Sequence, residues 1–156
     1  MRIGLISDTH GRLRPEVFPH FEGVELILHA GDIGDSSILA ELSAIAPVRA
    51  VLGNTDGFDL GASVPELQTL ELEGHVVVVT HGHQLGSPTP RLLRAAHPDA
   101  GVIVFGHTHR SLIERQDGVL IVNPGAAGPQ RFNLKATIGL LELTARGAAT
   151  ATIQEL

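Results

Sequence analysis

Short aliphatic runs that each break into glycine, histidine, aspartate or asparagine constrain the fold of this chain more than any other feature. Ile3 to Ile6 leads into Ser7-Asp8-Thr9-His10-Gly11, Leu26 to Leu28 into His29-Ala30-Gly31-Asp32, and Ala50 to Leu52 into Gly53-Asn54-Thr55-Asp56. Further on, Val76 to Val79 leads into Thr80-His81-Gly82-His83, Val102 to Phe105 into Gly106-His107-Thr108-His109, and Leu120 to Val122 into Asn123-Pro124-Gly125. Such runs, rich in β-branched residues, predict strands buried on both faces, and the glycines and prolines after them predict sharp loops. Pro15 to Phe21 and Ser36 to Ala46 place apolar residues at helical spacing, and Pro88 to His97 opens with prolines suited to a first helical turn. Ser36 or Asp35 is suited to cap the second of these helices.

Alternating strands and helices imply right-handed βαβ units, which bring the carboxyl ends of the strands to one rim. The polar clusters therefore converge there. After Arg110 the pattern changes to Leu112 to Glu114, a turn at Gln116-Asp117-Gly118, then Val119 to Val122, Ala136 to Leu143 and Ala148 to Ile153, which reads as antiparallel strands. No linker or internal repeat interrupts the 156 residues, a length that suits one domain spanning 1–156.

Composition narrows the chemistry. The aromatics are five Phe with no Trp or Tyr, so the core is aliphatic and stacking platforms for single-stranded nucleic acid are scarce. A formal charge of −6, with Lys135 the only lysine, offers no basic surface for DNA, RNA or anionic lipid. A small anion becomes acceptable once cations reverse the local field, since two divalent ions move the formal sum from −6 to about −2. The absence of cysteine excludes disulfides, thiolate zinc sites and cysteine nucleophiles, leaving N and O ligands for any metal. No apolar stretch is long enough to span a bilayer, and the opening residues do not read as a secretion signal, so a cytoplasmic location is expected.

Asp8 and His10 stand two apart in what is expected to be an extended loop, which sends both side chains to the same side. His107 and His109 repeat the spacing. Asp32, Asn54 and His81 follow separate strands, so five loops supply seven candidate ligands of carboxylate, amide and imidazole type. That donor set suits Mn, Fe, Zn, Ni or Co better than Ca. A lone Asp-x-His also fits a turn or helix cap, as Gly-Asp and Gly-Asn fit ordinary turns. Five such signals in order, each at the end of an apolar run, point instead to one site.

In order and approximate spacing these motifs resemble the D-x-H, G-D-x-x-D, G-N-H-[DE], His-Gly and G-H-x-H series of the calcineurin-like metallophosphoesterases. They read here Asp8-Thr9-His10, Gly31-Asp32-Ile33-Gly34-Asp35, Gly53-Asn54-Thr55-Asp56, His81-Gly82 and Gly106-His107-Thr108-His109, across residues 1 to about 143. The compact length and the Thr80-His81-Gly82-His83 and Asn123-Pro124-Gly125 elements resemble the small YfcE-like branch of bacterial and archaeal phosphodiesterases. The resemblance implies an α/β fold built as a four-layer αββα sandwich with metals at its rim. It implies that Asp8, His10 and His109 hold one divalent ion, that Asn54, His81 and His107 hold a second, and that Asp32 bridges them. Mn²⁺ is the first expectation, with Ni²⁺, Fe²⁺, Zn²⁺ and Co²⁺ as alternatives. Such a pair lowers the pKa of a bridging water and polarises a phosphoryl oxygen. Asp32 suits the bridge because a carboxylate has two oxygens and its charge offsets the repulsion between cations. The expected activity is hydrolysis of small phosphate esters, with Asp32, Asn54, His81 and His83 in direct catalytic roles.

Thr55 stands where many members of the superfamily have a histidine that assists the leaving group. Threonine is no general acid at neutral pH, so a preference for phosphodiesters or good leaving groups is expected. Ala126 stands where similar proteins often have Ser after Asn-Pro-Gly. His83 is assigned either a contact with substrate phosphate or a hydrogen bond to a ligand loop. Asp35 and Asp56 are expected to orient ligands or cap helices, and Asn123 to fix a loop through backbone hydrogen bonds. His29 reads as a buried strand-end residue, His20, His75 and His97 as surface residues, and Arg110 as either phosphate-steering or solvated. The competing functions are a non-catalytic scaffold, because a eukaryotic retromer subunit resembles this fold, a phosphomonoesterase, and a nuclease. Retention of all seven ligand types argues against the scaffold, and the missing basic surface against the nuclease. The resemblance also allows a homo-oligomer.

Overall fold

A computed structural model describes residues 1–130 and 133–156, apart from the side chain of residue 58. Its elements run β1 (Arg2–Ile6), α1 (Val17–His20), β2 (Leu26–His29), α2 (Ser36–Ser43), β3 (Val48–Ala50), α3 (Phe58–Gly61), β4 (Leu67–Leu72) and β5 (His75–Thr80). A 3₁₀ turn (His83–Leu85) precedes α4 (Pro90–Ala96), β6 (Val102–Val104), β7 (Leu112–Gln116), β8 (Val119–Asn123), β9 (Thr137–Glu142) and β10 (Thr150–Glu155). Two five-stranded sheets form, ordered β10-β9-β1-β2-β3 and β4-β5-β6-β8-β7. β1, β2 and β3 run parallel in the first sheet, as do β5, β6 and β8 in the second. Five of these are the aliphatic runs read from the sequence, β3 meets the run from Ala50 to Leu52 only at Ala50, and the polar clusters follow their carboxyl ends.

Alternation along each strand sorts the apolar side chains into three layers of core. Ile3, Leu5, Leu26, Leu28, Val77, Val79, Val102, Val104, Leu120 and Val122 join in one cluster between the sheets. Ile6 and Ile27 turn the other way, toward Val17 of α1 and Ile38 and Leu42 of α2. Val78, Ile103 and Ile121 pack with Leu93 of α4 on the opposite outer face. The result is the expected four-layer αββα sandwich.

Local chemistry explains where elements begin and end. Asp35 caps α2 by accepting a hydrogen bond from Ser37 N at 2.8 Å, and Thr89 caps α4 ahead of Pro90. Helix α1 is one turn long, shorter than its apolar spacing predicts, and Gly23 with φ of 75° turns the chain away just past its end. The third strand ends at Ala50 rather than Leu52, whose N–H turns away to Pro65 O at 2.8 Å. Strand β4 was not expected. Its exposed Leu67, Thr69 and Glu71 alternate with half-buried Gln68, Leu70 and Leu72, and a Glu73-Gly74 turn with φ of 50° and 79° returns the chain to β5. That is the same primed hairpin geometry that Asp117-Gly118 adopts between β7 and β8, at φ of 49° and 82°.

The inter-sheet layer is expected to carry most of the stability. Leu28→Ala, at a fully buried position, should lower the unfolding free energy by about 3 kcal/mol. Leu92→Ala, at a 46% exposed position, should change it by less than about 0.5 kcal/mol, as urea unfolding of the metal-free protein would show.

Candidate metal centre

The loops that leave the parallel strands are held in an unusual backbone conformation. Asp8, His10, Asp32, His107 and His109 have φ of 54°, 46°, 53°, 69° and 59°, in the left-handed region where a side chain costs on the order of 1–2 kcal/mol per residue. They are five of the eight non-glycine residues with positive φ among the described residues, so this strain concentrates at the predicted ligands. The extended loop expected for Asp8 and His10 is therefore not what forms. Both residues instead sit in a turn fastened to the next loop, with Asp8 N donating to Gly31 O at 2.9 Å and His10 N to Asp32 O at 2.9 Å.

Asp8, His10, Asp32 and His109 each offer a ligand atom within 4.8 Å of the others. His109 Nε2 lies 3.1 Å from Asp8 Oδ1, His10 Nε2 3.4 Å from His109 Nε2, and His10 Nε2 3.8 Å from Asp32 Oδ2. The same Asp32 oxygen also lies 3.5 Å from His81 Nε2, which in turn faces Asn54 Oδ1 at 3.1 Å. The ring of His107 lies 5.2 Å from that of His81, while its Nε2 faces Gly86 O at 3.1 Å. Because a carbonyl only accepts, His107 carries its proton on Nε2 and its lone pair on Nδ1. Six of the seven predicted ligands thus aim a donor atom into one space, with Asp32 Oδ2 at its centre. The seventh, His107, reaches the site through its ring.

This constellation fits divalent cations. Asp8 Oδ1 is buried, and no hydrogen bond to it is formed among the described residues even though His109 Nε2 is close. A buried acceptor left without a donor is costly, and a cation satisfies it. His81 Nδ1 donates to Ala30 O at 2.7 Å, so that Nε2 turns its lone pair to Asp32 in the neutral ring and donates to Asp32 in the protonated one. Burial lowers the basicity of His81, but the Asp32 hydrogen bond and the Asp8 charge outweigh it and raise the pKa overall. Burial likewise opposes the ionised form of Asp32, yet hydrogen bonds from His81 and from Thr55 N, at 2.9 Å to Oδ1, hold it well below the usual carboxylate range.

Two of the motif glycines are there to make room. A Cβ at Gly53 would overlap Asp32 Oδ1, and one at Gly106 would sit 3.0 Å from both Asp8 Oδ2 and His81 Nδ1 and 2.7 Å from Ala30 O. Around the ligands, Asp56 accepts from Gly34 N at 2.8 Å and Gly53 N at 2.7 Å, tying the Asp32 and Asn54 loops together. Asn123 is fully buried, donates to Gly106 O at 2.9 Å and Thr108 Oγ1 at 3.0 Å, and accepts from Gly125 N at 2.8 Å. Asp35 caps α2. His83 packs its ring 5.3 Å from His81, and burial together with the neighbouring imidazoles lowers its pKa. His20, His75 and His97 stand outside the cluster.

The sequence reading understated His29. It is fully buried, and its Nε2 lies 2.9 Å from Thr9 Oγ1, whose single proton goes to Ile33 O at 2.9 Å. His29 Nε2 must therefore be the donor, and Nδ1 accepts from Gly31 N at 3.3 Å. One neutral imidazole thus joins the loop carrying Asp8 and His10 to the loop carrying Asp32. Ser7 acts similarly, with its hydroxyl 2.5 Å from Asp8 Oδ2 and 2.9 Å from Gly125 O. Hydroxyl residues interleaved with Asp8 and His10 at the end of a buried strand were the available signal.

A two-sheet sandwich with carboxylates, imidazoles and an amide gathered at one rim has the architecture of the metallo-dependent phosphatases. The profile of the calcineurin-like phosphoesterase superfamily domain matches residues 1–146, and the chain belongs to this family. A probable metallophosphoesterase of Methanothermobacter thermautotrophicus is 38% identical over 133 residues, 81% of this chain and 77% of its own. A phosphodiesterase of Methanocaldococcus jannaschii is 30% identical over 159 residues, covering 91% of this chain and 93% of its own. Vps29 of Entamoeba histolytica, solved in complex with Zn²⁺, shares the fold at a TM-score of 0.80 and 22% identity over 99% of each chain. Membership of the family implies divalent metal ions, which the donor set fits.

Burial drives the pKa of His29 from 6.5 down to about 4, against the pull of Asp8. Above pH 6.5 the imidazole is neutral in folded and unfolded chains alike. Between pH 6.5 and 4 only the unfolded chain takes up the proton, so stability falls as pH falls. The loss should reach about 3 kcal/mol at 1.36 kcal/mol per pKa unit. Urea unfolding of the metal-free protein should show a steeper acid-side decline for wild type than for His29→Gln, and parallel curves would overturn this.

Proposed function

We propose that the protein is a dinuclear metal-dependent phosphodiesterase acting on small phosphodiesters. The observation that carries this reading is the position of Asp32 Oδ2, 3.8 Å from His10 Nε2 and 3.5 Å from His81 Nε2, between two groups of ligand atoms. In it, Asp8, His10, Asp32 and His109 hold one ion, and Asp32, Asn54, His81 and His107 hold the other, with Mn²⁺ the preferred metal. When bound, such a pair supplies Lewis acidity and a low-pKa water for in-line attack on phosphorus. Thr55 N keeps Asp32 Oδ1 occupied, so that Oδ2 faces both ligand groups. Ala30 O and Gly86 O set the proton positions on His81 and His107, which prevents those rings from rotating away. Asp56 and Asn123 hold the loops from behind.

Thr55 presents its backbone N–H to the site, and its hydroxyl is no proton donor at neutral pH. His83 stands beside His81, and its lowered pKa keeps it neutral near pH 7, so it serves to contact phosphate and not as a strong acid. Both features favour diesters with good leaving groups over alkyl monoesters. No helix among the described residues is long and apolar enough to cross a membrane. The acidic composition agrees with small substrates in place of polymers. The reading also takes the chain as a single-domain cytoplasmic protein, with a homo-oligomer compatible with it.

The test is to strip the protein with a chelator, restore Mn²⁺, Ni²⁺, Mg²⁺ or Zn²⁺ separately, and compare bis-p-nitrophenyl phosphate with p-nitrophenyl phosphate. Turnover should require metal, be highest with Mn²⁺ and favour the diester. His81→Ala should reduce kcat/KM by roughly 10²-fold or more, as loss of a metal ligand does. No metal-dependent turnover would sink the enzyme reading and favour a scaffold, and turnover unaffected by His81→Ala would sink this site as its seat. Faster monoester hydrolysis would remove only the diester preference.

A further inference from the structure

Beside His109 the rim opens into a cavity of about 370 Å³ whose walls include Arg110, Ser111, Lys135, Thr137 and Glu155. It shares His109 with the candidate metal centre, so it adjoins the space in which a substrate phosphorus would be held. The volume lies within the range of small-ligand sites and is far too small for a polymer.

The wall chemistry is selective. Lys135 Nζ lies 2.7 Å from Glu155 Oε2, and these two exposed groups cancel as an ion pair. Thr137 commits its hydroxyl proton to Pro124 O at 2.7 Å. The Arg110 guanidinium and the Ser111 hydroxyl make no side-chain hydrogen bond or ion pair with any described residue, which leaves the cavity with a net positive charge and unspent donors. Arg110 also has a fixed base. Its backbone N–H donates to Thr108 Oγ1 at 3.3 Å, and that hydroxyl accepts from the buried Asn123 at 3.0 Å. A planar fork on an anchored backbone is suited to an oxyanion. In a chain of net charge −6, such a site next to an acidic ligand cluster separates two kinds of anion recognition, by metal at the centre and by arginine at its flank.

We propose that this cavity is a specificity subsite for a second anionic group, a phosphate or carboxylate carried on an ester substituent of the substrate, with Arg110 and Ser111 as its binding residues. The inference rests on the phosphodiesterase reading and names its substrate class as diesters bearing a further anion.

The experiment uses the Mn²⁺-loaded protein and two substrates that differ in one group, thymidine 5′-(p-nitrophenyl phosphate) with a 3′-hydroxyl or with a 3′-phosphate. The ratio of kcat/KM should favour the 3′-phosphate compound about tenfold, the scale of one charge-assisted hydrogen-bonded pair, and should shrink with added salt. Arg110→Gln should bring the ratio close to one, while Glu155→Gln, which frees Lys135, should raise it. A ratio near one in the wild type, or one that Arg110→Gln leaves in place, overturns the subsite. If neither compound is hydrolysed the phosphodiesterase reading fails, and calorimetry still decides the subsite. Thymidine 3′,5′-bisphosphate should then bind about tenfold more tightly than thymidine 5′-phosphate, with the advantage lost in Arg110→Gln, and equal affinities would reject it.

Discussion

Everything at the rim depends on the face-to-face packing of two aliphatic sheets. Ile3, Leu5, Leu26 and Leu28 from one side meet Val77, Val79, Val102, Val104, Leu120 and Val122 from the other with little or no exposure. That layer fixes two triplets of parallel strands relative to each other, and with them the carboxyl ends from which every candidate ligand departs. A ligand set assembled from two sheets has no local means of holding its geometry. Asp8, His10, Asp32 and Asn54 come from the first sheet, whereas His81, His107 and His109 come from the second. The inter-sheet contact, with the His81–Ala30 hydrogen bond at the rim, keeps His109 at 3.1 Å from Asp8 and His81 at 3.5 Å from Asp32.

That packing also accommodates features that destabilise the folded chain. Five candidate ligand residues sit at positive φ, a carboxylate oxygen of Asp8 is buried with no hydrogen bond from a described residue, and His29 is buried neutral. Each is unfavourable by itself, and each is held by bonds between loops: Asp8 and His10 to the β2 loop, Gly128 N to Asp8 O, and His29 to both Thr9 and Gly31. Bonds between loops therefore hold the backbone from which the candidate ligands project. Their strain belongs to the preorganisation of the centre, and the tightly constrained glycines belong to it too, since a methyl group at Gly53 or Gly106 would displace a ligand from its place.

The fold is shared by Vps29, and relatives in the family are named phosphodiesterases, so architecture alone does not define what such a chain does. A surface kept for protein contacts has no physical need for aligned tautomers on His81 and His107, or for an Asp32 whose two oxygens are assigned to different tasks. Those details are consistent with a centre organised around cations, and the cationic wall at Arg110 extends the same logic to the part of a substrate that does not react.

Much of this was legible in the chain itself. The aliphatic runs, the residues after them and the absence of cysteine determined buried parallel strands with candidate N and O ligands at one rim, because strand burial and ligand chemistry are set by residue type and local periodicity; the sandwich came from the resemblance of the motifs to a known family. The hairpin at Asp117-Gly118 was legible for the same reason, and β4 could have been, from its alternation and the Glu73-Gly74 turn. Tertiary structure alone decided the left-handed backbone at Asp8 and His10, the proton positions on His29, His81 and His107, and the placing of Asp32 between His10 and His81. These follow from contacts between residues as far apart as His10 and His109, and no local pattern encodes a distance across two packed sheets.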